Sequence, residues 1–92
     1  MKMFVGVVTK PVDDGGYFVK PIKFIIKRHK NFDIWRYNIK FEFGTQHSME
    51  DEDAPRYTIV TTEGYREAIQ ELFNARFEGL GVTLINLREI RV

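Results

Sequence analysis

The stretch from Asp33 to Phe43, Asp-Ile-Trp-Arg-Tyr-Asn-Ile-Lys-Phe-Glu-Phe, constrains the fold more than any other part of this 92-residue chain. Its odd positions Trp35, Tyr37, Ile39, Phe41 and Phe43 are large and apolar, and the intervening Arg36, Asn38, Lys40 and Glu42 are polar. Side chains on a strand alternate between two faces, so the pattern predicts a half-buried β-strand with an aromatic inner side and a mostly basic outer side. A helix would scatter those rings around its circumference. The chain must therefore build a two-sided sheet whose surfaces differ in chemistry.

The flanking segments supply its neighbours. Lys2 to Thr9 is apolar and rich in β-branched residues, a first strand that Pro11 ends for want of an amide hydrogen. Asp13-Asp14-Gly15-Gly16 has the chemistry of a hairpin turn. A second strand runs from Tyr17 to about Lys27; Pro21 interrupts it and predicts an edge position or a bulge. Beyond the proline, Ile22, Phe24 and Ile26 point one way and Lys23, Ile25 and Lys27 the other. The polar cluster Arg28-His29-Lys30-Asn31 reads as the turn into the Asp33–Phe43 strand.

Residues 44 to 55 have no periodicity and contain four consecutive acids, Glu50 to Asp53, which predicts a long acidic loop. Arg56 to Thr61 follows as a fourth strand. Thr62 is the expected N-cap of a single helix over Glu63 to Glu78, whose stripe of Tyr65, Ala68, Ile69, Leu72, Phe73, Arg76 and Phe77 recurs at three- and four-residue intervals with one basic interruption. Gly79 supplies its stop. The last segment, Val82 to Val92, is apolar on both faces in its first half and charged in its second, as for a strand buried at one end and emerging at the other.

These elements predict one α+β domain over residues 1–92: a mixed, mostly antiparallel sheet of about five strands with one amphipathic helix on one face, in the order β-β-β-β-α-β. The mixed character follows from the strand-helix-strand unit, whose right-handed crossover normally sets its two strands parallel. One helix is about 10 Å across and strands lie about 4.8 Å apart, so it covers only two or three of them. Either the sheet curls around the helix or part of a face is left for a partner. With no cysteine, no secretion-signal pattern and no run of about 18 apolar residues, the expectation is a cytoplasmic protein without disulfides or a membrane span.

A net charge of +1 conceals an asymmetry. Residues 1–40 hold nine Lys or Arg against three acids, a balance of +6, whereas residues 41–92 hold five Arg against ten acids, a balance of −5. If the second and third strands pair in a hairpin, Lys23, Lys27, Arg28, Lys30, Arg36 and Lys40 gather at one end and on one surface, with Tyr17 near enough to stack a base. Such a strip can follow a phosphate backbone, so nucleic acid or another polyanion is the first partner class. The opposing consideration is that lysines on outer strands commonly guard against aggregation, and the acids of the second half could neutralise them.

Enzymatic chemistry finds little purchase. Ser48 is the single serine and has no supporting elbow; His47, Glu50, Asp51 and Asp53, even with His29, fit no metal-ligand spacing. Gly79-Leu80-Gly81 follows the helix, whereas a phosphate cradle must precede one. No catalytic residue, metal or cofactor is assigned. The layout of a short cysteine-free chain, with strands, one helix and a charged loop, is similar to that of small accessory proteins of tailed phages, some of which bind and disable host defence or transcription machinery. This likeness implies the alternative function of a protein-binding inhibitor or adaptor. Its partner would be a host protein or, as a homodimer, a second copy, met through an uncovered aromatic surface or a sheet edge.

Overall fold

The computed structural model describes residues 1–44, 55–61 and 64–91. The elements follow in the expected order: β1 (Lys2–Pro11), β2 (Tyr17–Asn31), β3 (Ile34–Phe43), β4 (Tyr57–Thr61), α1 (Tyr65–Phe77) and β5 (Thr83–Ile90). The fold is α+β, with the strands in one sheet ordered β4-β3-β2-β1-β5. β4 and β5 run in the same direction but occupy opposite edges, so no parallel pair forms and all four pairings are antiparallel. Strands β1 to β4 are laid down as successive antiparallel neighbours, and β5 takes the edge that β1 leaves open.

The β1–β2 turn is where Asp13 to Gly16 predicts it. Gly15, at φ 86°, donates to the Val12 carbonyl at 3.1 Å, and Gly16 donates to Asp14 Oδ1 at 3.2 Å. Of its two expected settings Pro21 takes the edge, and the β1–β2 register runs through it without a bulge. β2 is central from Ile22 onward, but before that it has no partner on its β3 side, because β3 ends at Phe43 opposite Ile22. Pro21 directs its missing donor to that side, where its carbonyl accepts from Gly44 at 2.9 Å.

The next turn differs from expectation. Arg28 to Asn31 continue β2, and the chain reverses at Phe32-Asp33. Cross-strand pairing with Ile34 to Tyr37 outweighs the polarity of Arg28-His29-Lys30-Asn31.

The helix covers more of the sheet than its width allows on a flat surface. Four strand spacings put the edges about 19 Å apart, yet α1 lies against β3 and against both edge strands, β4 and β5. The sheet therefore curls around it. Tyr65 in the first turn meets Phe4 and Tyr37, with ring centroids 6.0 and 5.2 Å apart; Phe77 in the last meets Phe41 and Phe43 at 5.6 and 6.0 Å. The helix thus runs along the strands. Between them lie Phe4, Val8, Ile22, Phe24, Ile26, Tyr37 and Ile39 from the sheet and Ala68, Ile69, Leu72 and Phe73 from the helix. Each fully buried side chain of this size contributes about 1.5–3 kcal/mol.

Helix α1 starts after Gly64, which forms no side-chain cap; Thr62, the expected cap, lies outside the described residues. So do 45–54 of the expected acidic loop, with His47, Ser48 and the acids considered there. β5 also departs from expectation. Asn86 and Leu87 together oppose the single residue Gly6, between the pairs Val5↔Arg88 and Val7↔Ile85. This bulge, with Asn86 at φ 57°, shifts the phase so that Leu84 and Leu87 both pack toward the core. The strand is half-buried along its length instead of buried at one end. No helix among the described residues is long and apolar enough to cross a membrane.

Candidate functional site

The register of β2 against β3 decides which cations share a face. Lys23 pairs with Glu42, Ile25 with Lys40, Lys27 with Asn38 and His29 with Arg36. Directly opposed residues point the same way, so Lys23, Lys27, His29, Arg36 and Lys40 all project from the face that the helix leaves uncovered. Four of the six expected cations are thereby brought together. Their environments are not equal. Lys23 and Lys40 are 4% and 5% exposed, and the Lys23 ammonium lies 3.7 Å from the Glu42 carboxylate. Lys27, His29 and Arg36 are exposed.

Arg56, immediately before β4, joins this group: with Ile25, Lys27, Asn38 and Lys40 it rims a shallow depression. Asn38 is fixed there by the Thr58 hydroxyl, which donates to its Oδ1 at 3.1 Å. The accessible part of the site is therefore Lys27, His29, Arg36 and Arg56. Sequence reasoning missed Arg56 because it sits outside the hairpin, and its one signal was its place next to Pro55 at the start of a strand.

Arg28 and Lys30 lie on the other face, because β2 continues through them and keeps alternating. The Arg28 guanidinium stacks 4.0 Å from the Trp35 ring centroid and 4.3 Å from that of Tyr65. Lys30 sits 5.5 Å over Trp35 and pairs with Asp33 at 3.7 Å. A planar cation between two rings is worth about 0.5–2 kcal/mol and ties the helix start to the sheet. Tyr17 is placed elsewhere again. It pairs with Pro11 at the opposite end of β2, ten residues from Lys27 and so about 33 Å away. It cannot stack a base held at Lys27 and Arg36.

A second feature on the uncovered side is an open depression of about 720 Å³ between β1, β2 and β5, lined by Val5, Val7, Pro21, Lys23, Arg88 and Ile90. Among the described residues no three His, Asp or Glu side chains converge as metal ligands would. Comparison with known proteins finds no matching family model, no matching curated protein and no matching solved structure.

Proposed function

We propose that this protein is a non-enzymatic binding module that grips a polyanion, nucleic acid first among them, through Lys27, His29, Arg36 and Arg56 on the helix-free face. One observation carries the reading: among the described residues Lys27, Arg36 and Arg56 form no ion pair, whereas Lys2, Lys23 and Lys30 do. Of the described acids, Glu67 and Glu71 lie on the helix and Glu78 at its C-cap, on the opposite side of the sheet, while Glu42 on the cation face is paired with Lys23. Unneutralised cations on one face attract phosphates by releasing condensed counterions. Phosphate contacts of this kind position the backbone and are tolerant of sequence.

The test is affinity for a labelled oligonucleotide at rising salt. Three or four phosphate contacts predict a slope of log K against log salt of about −3. Lys27→Ala and Arg36→Ala should each reduce that slope by about one. A flat salt dependence, or no binding at low salt, removes the proposal.

A second reading rests on the β1–β2 arm. Its residues 10–20 extend past the ends of β3 and β5, and Val12, Tyr17, Phe18 and Val19 on it are exposed. A two-stranded ribbon bare on both faces is marginal alone. A protein partner, either a host protein inhibited or bridged by this one or a second copy, would cover it. Light scattering across concentration separates the two: a rise in mass indicates a homodimer, and a constant monomer mass leaves the host protein.

A further inference from the structure

The turn between β2 and β3 is made of Phe32 and Asp33, with φ of 51° and 66°. Two successive left-handed residues define a type I′ turn, which favours Asn, Asp or Gly because a larger side chain crowds its own backbone there. Asp33 fits that preference; Phe32 does not. Phe32 is also 92% exposed, so its ring gains nothing from the sheet or the helix. A bulky apolar residue in a disfavoured conformation, turned wholly to water, points to a contact outside the chain.

The surroundings select the ligand. Lys27, His29 and Arg36 stand on one face of the ribbon behind the turn; on the other, Arg28, stacked against Trp35 and Tyr65, and Lys30, paired with the solvent-facing Asp33, are exposed and keep their charge. Asp33 is the one acid between residues 27 and 36. Cations on both faces of an apolar tip match a slot whose two walls are both negative. A single strand has one phosphate backbone, whereas a duplex groove has two phosphate walls with base edges between them.

Reach agrees. At about 3.4 Å per residue the tip stands about 20 Å beyond the last β1 pair and about 7 Å beyond the last β4 pair, those pairs being Lys2↔Ile26 and Trp35↔Thr61. The major groove of B-form DNA, about 12 Å wide, admits a two-stranded ribbon, and that of A-form RNA is too narrow. We infer that the β2–β3 tip enters the major groove of duplex DNA, with Phe32 against base edges and the cations of its two faces on opposite phosphate walls. This rests on the polyanion reading and adds the duplex, the groove and the contacting residue.

The experiment compares wild type with Phe32→Asn, a variant suited to the turn, against a DNA duplex, the same single strand and an RNA duplex, with protection of guanine N7 from dimethyl sulfate as the groove readout. Wild type should favour the DNA duplex about tenfold and protect N7. Phe32→Asn should lose about tenfold in affinity with an unchanged salt slope. Equal binding by the variant, preference for the single strand or RNA, or unprotected N7 despite binding overturns groove entry and leaves the phosphate contacts standing. Absence of binding to every oligonucleotide at low salt overturns both, and an apolar protein pocket with an acidic rim becomes the occupant of the tip.

Discussion

Neighbouring residues of β2 meet opposite fates because alternation continues through them: Lys27 and His29 face the uncovered side, Arg28 and Lys30 the rings around Trp35. Arg28 therefore serves stability. Arg28→Lys removes a planar group from between Trp35 and Tyr65 and should cost about 1 kcal/mol in chemical denaturation, with oligonucleotide affinity unchanged because the charge is kept. Phe32 is the converse case, and Phe32→Asn should raise stability by about 1 kcal/mol and Tm by about 5 °C in a thermal melt. Parity along a strand was legible in the sequence, and it correctly grouped Lys23, Lys27, Arg36 and Lys40. The turn was not, since four polar residues resemble a turn more than Phe32-Asp33 does. That error put Arg28 and Lys30 with the wrong set. Burial of Lys23 and Lys40 depends on what the fold brings beside them, such as Glu42, and no spacing in the sequence reveals it.

Among the elements, β3 was readable because its period is unbroken from Trp35 to Phe43, whereas β5 hid its bulge. Leu84 and Leu87 stand three apart, a spacing that mimics a segment apolar on both faces, and the residue that permits the bulge lies in β1. A Cβ on Gly6 would sit 2.9 Å from Leu84 Cδ1 and 3.2 Å from the Ile85 carbonyl oxygen. Leu84 can yield; the backbone of β5 cannot without opening the edge. Gly6→Ala should therefore destabilise the protein by about 1–3 kcal/mol, read as a lower denaturation midpoint. Helix α1 offers the opposite opportunity. Its N-cap, Gly64, precedes Glu67 by three residues, so Gly64→Ser completes a capping box. The new Cβ would meet only the mobile end of Glu67 at 3.0 Å. A gain of a few tenths of a kcal/mol in the same denaturation experiment is expected.

At the scale of the whole molecule, the radius of gyration is 13.9 Å and the longest dimension 50 Å, whereas a compact chain of this length has a radius of about 12 Å. The β1–β2 arm reaches past the ends of β3 and β5, and it sets Tyr17 and the Lys27–Arg36 cations at opposite ends. Strand order was beyond the sequence: periodicity shows that β4, α1 and β5 form a crossover unit but not that three strands intervene between its two ends. The charge asymmetry was legible as a count, and its arrangement in space was not, because the sheet's register decides which cations end up beside carboxylates. The central claim is that the accessible cations of β2, β3 and Arg56 form one anion-binding end. Amide chemical-shift mapping during titration with a short DNA duplex at low salt tests it most directly. The account predicts shifts concentrated at residues 27–38 and at Arg56, with the arm 10–20 unmoved. Shifts confined to the arm or the helix, or no shifts at all, would contradict it.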